Sequence, residues 1–407
     1  MTIPASQATP SLPPDQGRAA ALRQARDLLP GIRESAPAAE ADRRLPESTI
    51  EALLEADLFS VLTPRRFGGR ELGIETLVRV TAELASACGS TGWVYGVLAG
   101  HSWLLNLFPV EAQKEVFGDL RALTATVFRL GAEVTEVDGG YRLLDGTGRF
   151  CSGVDFASWI IVGSAVSRDG APPQPRFFVI PRSDIEIIDD WQTVGMRGTG
   201  SRSIRISEAF IPAYRSVSLD EMLSGTSPGA QFHESPLYRI PFQLVAPFSI
   251  IGAPLGMARN AVATASAMLE RLLRDQSEIQ VAGRSASLAR IGTAAAQADA
   301  ALALIVDDAR CIDGAPGSDG LGEEVRARIP RNWAYAAQTA RSAVNSVFEA
   351  SGGASVYDAS PLQRIWRDVN AAAQHFAFVW DTAMTDAGRA MLGLPRLETR
   401  PGVGARR

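Results

Sequence analysis

Lysine is nearly absent from this chain of 407 residues: Lys114 is the only one, and arginine carries the rest of the positive charge, which we read as a coding bias. Forty basic residues face forty-five acidic ones, for a net charge of −5. With no basic block, nucleic acid is not an expected partner. Cysteine is scarce as well. Cys88, Cys151 and Cys311 are odd in number and far apart, with no CxxC spacing. That argues against a zinc ribbon or disulfide framework and suits a reduced cytoplasmic setting. No basic start followed by an apolar run opens the chain, so no signal peptide is expected. The most apolar stretch, Gly92 to Phe108, is short for a membrane span and contains His101, Ser102 and Asn106. It reads as a buried helix, and no membrane partner is expected. No GxGxxG follows a strand, so a built-in nicotinamide domain is not expected. Histidine is rare too, with only His101, His233 and His375 present.

What is present falls into zones of different hydrophobic period. Residues 1–15 read as a disordered lead-in and 396–407 as a mobile tail. From 16 to 119 the pattern is helical. Leu45-Pro46-Glu47 starts one helix, with Ile50, Leu53, Leu54, Asp57 and Leu58 on a face. Ile74, Leu77, Val78, Thr81 and Leu84 mark the next, and Ser90-Thr91 is read as the cap of the apolar helix. Residues 120–235 carry short strands. Val134 to Leu144 reads as a hairpin turning at Asp138-Gly139-Gly140. Ser158 to Ala165, Arg176 to Ile180, Ile185 to Ile188 and Arg202 to Ser207 follow, which suggests a small barrel or sandwich. Residues 236–395 return to helical spacing. Ile250 to Leu273 forms one helix. Leu288, Ile291, Ala295, Ala298, Leu302 and Ile305 mark a second, and Ile329, Trp333, Ala336, Ala340 and Val347 a third. Ile365, Val369, Ala372, Phe376, Val379 and Ala383 mark a fourth, giving a four-helix bundle.

Five local motifs occur in order: Pro64 to Gly69; Phe150-Cys151-Ser152-Gly153 through Trp159; Val194-Gly195-Met196-Arg197-Gly198-Thr199-Gly200-Ser201; Gly252-Ala253-Pro254-Leu255-Gly256; and Gly352-Gly353 through Arg367-Asp368. Together they resemble the acyl-CoA dehydrogenase fold: an N-terminal helical domain, a small β-barrel and a C-terminal four-helix bundle. In one branch of that family a glutamate four residues before the Arg of the Arg-Asp pair removes the substrate's α-proton. Gln363 stands there. The family's other position for that base lies just before the Gly-Ala-Pro-Leu-Gly motif and holds Val245-Ala246-Pro247-Phe248. An amide and apolar side chains cannot act as bases, so dehydrogenation is discounted. The nearest acid is Asp358.

His101, in Ala99-Gly100-His101-Ser102-Trp103, and His375, after Arg367-Asp368, resemble instead the oxygenase components of two-component flavin-dependent monooxygenases. That group includes the 4-hydroxyphenylacetate 3-hydroxylase oxygenase and the phenol hydroxylase of steroid degradation. The resemblance implies reduced FMN or FAD supplied by a separate NAD(P)H:flavin reductase, O2 as co-substrate and a homotetramer. It also implies hydroxylation of an aromatic, phenolic or polyketide-like substrate through a flavin C4a-hydroperoxide. Ser152 would bond flavin N5; Trp93 and Phe150 would wall the ring; Arg197, Thr199 and Ser201 would meet flavin or substrate. Gly352 and Gly353 would reach the flavin of a neighbouring subunit. His101, His375 and Thr126 would face the substrate, one histidine as base and the other as hydrogen-bond donor. Gly198 and Gly200 also suit a plain turn, Gly352-Gly353 a plain helix cap, and His233 is read as a surface residue. The competing readings are an N-hydroxylating aminosugar monooxygenase of the same fold, an acyl-CoA dehydrogenase with a displaced base, and a non-catalytic scaffold.

Overall fold

The computed structural model describes residues 14–168, 170–274 and 283–395. All but two residues of the lead-in, and the whole tail, lie outside the described residues.

Five helices come first: α1 (Pro14–Asp42), α2 (Glu47–Glu55), α3 (Ile74–Ala85), α4 (Gly89–Leu105) and α5 (Val110–Val116). Pro46 precedes α2 as its extended cap. The face read for this helix runs too far. Asp57 lies beyond the helix end with φ 52°, so it belongs to the turn. The Ser90-Thr91 cap is also corrected. Cys88, extended at φ −149°, occupies the cap position, and Ser90 and Thr91 sit buried in the first turn. The apolar stretch is the buried helix α4, held against α3 and against α7 (Phe248–Leu273). The approach is close: a Cβ at Gly96 would stand 2.0 Å from the Ser249 carbonyl oxygen, and one at Gly256 2.2 Å from that of Ala82. Two glycines therefore set the depth at which the domains dock.

Eight strands follow: β1 (Thr124–Val127), β2 (Leu130–Val137), β3 (Gly140–Cys151), β4 (Trp159–Arg168), β5 (Ala171–Pro181), β6 (Glu186–Ile188), β7 (Arg202–Pro212) and β8 (Ser216–Ser218). They form one sheet in the order β6-β7-β3-β2-β4-β5-β8, with β1 beside β4. The expected hairpin is β2–β3, turning at Gly139 with φ 78°. The register decides the site. Cys151 pairs with Arg202 beyond a bulge in β3, so the residue after β3 and the residue before β7 become neighbours.

After the short helix α6 (Leu219–Ser224), the bundle contains α7, α8 (Ser285–Asp313), α9 (Glu323–Ala350), α10 (Pro361–Ala372) and α11 (Trp380–Met391). All five apolar positions read for the third bundle helix are buried in α9. The seam read for the second is corrected: Leu288 is 44% exposed, and burial in α8 follows Ala294, Ala298, Ala301, Ile305 and Ile312. By length and composition α8 could cross a membrane; here it packs on α9 and α7. The fourth helix is also corrected, because it is two. The chain leaves α10 at Ala373, His375 is extended (φ −61°, ψ 138°), and its side chain caps a short 3-10 turn at Phe376–Phe378. Phe376 and Val379, read as core, are exposed. Their spacing continued the helical period across a break that a capping side chain imposes.

Candidate active site

The neighbourhood set by the β3–β7 register is a chain of hydroxyls. Trp93 Nε1–H, from α4, donates to Ser152 Oγ at 3.1 Å. Ser152 Oγ lies 2.7 Å from Ser201 Oγ, and Ser201 Oγ 2.7 Å from Thr199 Oγ1. Thr199 Oγ1–H donates to the Met196 carbonyl at 2.8 Å. That carbonyl also accepts from Trp191 Nε1–H at 3.0 Å and from the Thr199 N–H at 3.2 Å. Met196 is left-handed (φ 56°), and its own N–H donates to Asp368 Oδ1 at 2.6 Å. Asp368 is buried on α10, and that burial pushes its carboxyl up to about 6. The Arg-Asp pair thus ties the loop at residues 194–201 to the bundle. Arg197 turns away from the hydroxyls, donating to the Thr193 carbonyl at 3.0 Å.

Phe150, two residues before Ser152, has φ 65° and is 69% exposed. Its ring meets Trp191 edge-on at 6.1 Å. Among the expected site residues it is the large aromatic left open to solvent, whereas Trp93 is buried.

The two expected histidines, His101 buried and His375 half-buried, are in opposite hydrogen-bonding states. His101 Nδ1 lies 2.7 Å from the Thr124 carbonyl oxygen. A carbonyl only accepts, so Nδ1 carries the proton and Nε2 presents a lone pair. Thr126 Oγ1 stands 3.2 Å from the same Nδ1. His375 is the reverse: its Nδ1 accepts from the Ala377 N–H at 3.2 Å, so Nε2 carries the proton. Its ring stands edge-on to Trp93 at 5.7 Å between centroids. Burial lowers both to about 4, so both are neutral near pH 7. His101 lines a small cavity with Leu62, Leu77, Trp103, Phe128, Ala246 and Ser249. Phe128 of that wall meets Phe376, just after His375, edge-on at 6.1 Å.

The two positions of the missing base are occupied differently. Val245 and Ala246 line the same cavity, which has no Asp or Glu in its wall. Gln363 is held in its loop: its Nε2 donates to Asp358 Oδ1 at 2.9 Å and to the Val356 carbonyl at 3.4 Å, and its Oε1 accepts from Arg367 Nε at 2.6 Å. Only an amide does both. Gly352 is left-handed (φ 66°) one residue beyond the α9 cap, and both Gly352 and Gly353 are exposed.

His233 is corrected. It is buried, with Nε2 2.8 Å from Gln113 Oε1 and its ring 4.4 Å from that of Tyr238. A polar loop sequence gave no sign that the loop folds back on α5. Sequence reasoning also missed Trp191, Phe128 and the Thr124 carbonyl. A lone tryptophan shortly before a Gly-rich motif was the one available signal; a backbone carbonyl gives none.

Residues 21–119 match the acyl-CoA dehydrogenase N-terminal domain family and residues 249–380 the acyl-CoA dehydrogenase C-terminal domain family. The oxygenase subunit HsaA of a flavin-dependent monooxygenase from Mycobacterium tuberculosis is 35% identical over 384 residues, covering 92% of this chain and 95% of that protein. The protein belongs to the oxygenase components of two-component flavin-dependent monooxygenases. A second relative, an FADH2-dependent resorcinol hydroxylase oxygenase component from a Rhizobium species, is 32% identical over 378 residues, covering 89% of this chain and 91% of that one. The crystal structure of the 3-HSA hydroxylase from Rhodococcus sp. RHA1 superposes with a TM-score of 0.88 at 32% identity, over 93% of this chain and 98% of that one. The chain thus joins the acyl-CoA dehydrogenase architecture to the oxygenase family. An oxygenase component of this kind works with a separate reductase.

Proposed function

We propose that this oxygenase component hydroxylates a phenolic or comparably electron-rich aromatic or polyketide-like substrate, using reduced FMN or FAD and O2. The observation that carries this reading is the opposed pair of histidine tautomers. His101, in the wall of a small, largely apolar cavity, has an Nε2 lone pair that would accept the hydrogen bond of a phenolic hydroxyl and make the ring more nucleophilic. Its low proton affinity keeps that lone pair free, and Thr126 steadies the ring. His375 offers an N–H, which suits an oxygen leaving with negative charge.

The residues fit a flavin. Phe150 presents an open aromatic face, Trp93 closes the inner side, and Ser152 with Ser201 and Thr199 forms a polar edge suited to N5. When bound, reduced flavin would supply the chemistry that activates O2, with Ser152, Trp93 and Phe150 holding its ring. The protein excludes water and holds these groups in place.

The alternatives have less support. An aminosugar ammonium would find no carboxylate in the cavity wall. The nearest acid to the lost base, Asp358, is exposed and bonded to Gln363. A scaffold has no use for the opposed tautomers of His101 and His375.

A homotetramer belongs to the same proposal, supported by exposed Val356, Tyr357, Trp380, Met391 and Leu392 around α10 and α11. So do a cytoplasmic location, which suits three free cysteines, and domain limits at 16–119, 120–235 and 236–395.

The test mixes the protein anaerobically with reduced FMN or FAD, then with O2 and a panel of phenols. A transient absorbance preceding oxidised flavin, together with a catechol product, is expected. Immediate peroxide release with every phenol would refute the reading.

A further inference from the structure

We propose that Ser201 and Thr199 are positioning residues that reverse the direction of Ser152's hydroxyl, letting one serine serve both redox states of the flavin. The inference rests on the reading above, in which Ser152 meets flavin N5.

The argument is a count of protons. Three hydroxyls in line carry one hydrogen each. Trp93 Nε1–H is fixed as a donor into Ser152. In one direction Ser152 donates to Ser201, Ser201 to Thr199, and Thr199 to the Met196 carbonyl. Every hydroxyl hydrogen is then used inside the protein, and Ser152 has a lone pair left for an incoming donor. In the other direction Thr199 donates to Ser201 and Ser201 to Ser152. The Ser152 hydrogen is then free to point outward. Both orders satisfy the two contacts of 2.7 Å.

The reversal is cheap because of where the chain ends. The Met196 carbonyl keeps the Trp191 indole N–H at 3.0 Å and the Thr199 N–H at 3.2 Å when the Thr199 hydroxyl turns away. No buried acceptor is orphaned, which is the usual obstacle to such a switch. Without an acceptor at Ser152, the inward order makes one bond more. With an acceptor there, the two orders make equal numbers.

Flavin N5 presents the two cases. In reduced flavin N5 carries a hydrogen and donates; in oxidised flavin it is bare and accepts. The inward order suits the reduced form and the outward order the oxidised form. Thr199→Val removes the inward terminus. Ser201 then has only Ser152 to donate to, and Ser152 is locked outward, against the reduced flavin.

The experiment is anaerobic titration of the full-length protein with reduced and with oxidised flavin, followed by fluorescence and spectroelectrochemistry, with no turnover. Thr199→Val is expected to lower the preference for reduced over oxidised flavin about fivefold, the worth of one net hydrogen bond. For a two-electron couple that equals a fall of about 20 mV in the midpoint potential of the bound flavin relative to wild type. Ser201→Ala is expected to move the ratio in the same direction, and Thr199→Ser, which keeps the hydroxyl, to restore it. An unchanged ratio in Thr199→Val, with Ser152→Ala altering it, would overturn the relay while leaving the Ser152 contact intact. No effect from Ser152→Ala would instead overturn the contact itself.

Discussion

Replacing His375 by asparagine separates its two jobs. Its Nδ1 caps the 3-10 turn by accepting the Ala377 N–H at 3.2 Å, and its Nε2–H is the proposed donor to the leaving oxygen. Asparagine is a strong cap and keeps an acceptor at the near position, but it lacks the far N–H. His375→Ala removes both. The alanine variant loses a cap worth about 1 kcal/mol. It also loses packing against Trp93, Phe376 and Phe378, and large-to-small changes of this kind cost about 2–4 kcal/mol. For a chain of this size 1 kcal/mol moves Tm by about 1 °C, so alanine should lower Tm by about 3–5 °C and asparagine by much less. Both should lower hydroxylation by about 100-fold or more, the usual loss on removing one aimed donor, while oxidised flavin still binds. Tm by calorimetry and hydroxylated product formed per O2 consumed are the two readouts. An asparagine variant that couples O2 to product as wild type does would refute a role for Nε2–H and leave His375 as a cap.

His101→Asn keeps a donor toward the Thr124 carbonyl but loses the Nε2 lone pair; phenol hydroxylation should fall by about 100-fold, with flavin affinity unchanged by equilibrium titration. Gln363→Glu sets a carboxylate against Asp358 and should cost about 1–2 kcal/mol; a dye-linked assay with acyl-CoA thioesters should find no dehydrogenation, since the loop rather than the charge fixes that side chain. Stability should respond to acid through all three histidines. Burial holds each near 4, below the usual 6.5, so between those values the unfolded chain binds more protons and stability falls as pH drops. Asp313 and Asp368, both raised to about 6 by burial, act oppositely over about 4 to 6, because their contribution is lost as pH rises. His233→Phe should therefore shift the slope of unfolding free energy in this window by about one proton, roughly 1.4 kcal/mol per pH unit, measured by urea unfolding at several pH values. An unchanged slope would show that His233 is not held neutral.

Much of the architecture was legible in the sequence because periodicity records which face of each element is buried. The helical start, the hairpin at Gly139 and the core stripe of α9 were all visible in this way. The failures share a cause. Leu288 and the pair Phe376 and Val379 kept a helical spacing without being buried in the chain, since spacing does not say whether a neighbour is there. His233 looked like a loop residue because burial of a loop depends on what it folds against.

For the site, side-chain types already argued against dehydrogenation before any fold was known. Gln363, Val245 and Ala246 stand where the resemblance places a base, and neither an amide nor an apolar side chain takes up a proton. The sequence also supplied the rare histidines and the hydroxyls at residues 152, 199 and 201. What these groups can do depends on contacts made in the fold. The tautomers of His101 and His375 follow from contacts with the Thr124 carbonyl and the Ala377 N–H. Backbone partners of this kind leave no mark in side-chain sequence. The hydroxyl chain exists because the register of β3 on β7 sets Ser152 against Ser201, forty-nine positions apart. Hydrogen-bond direction is a property of partners brought together in space, so it appears when the chain folds and not before.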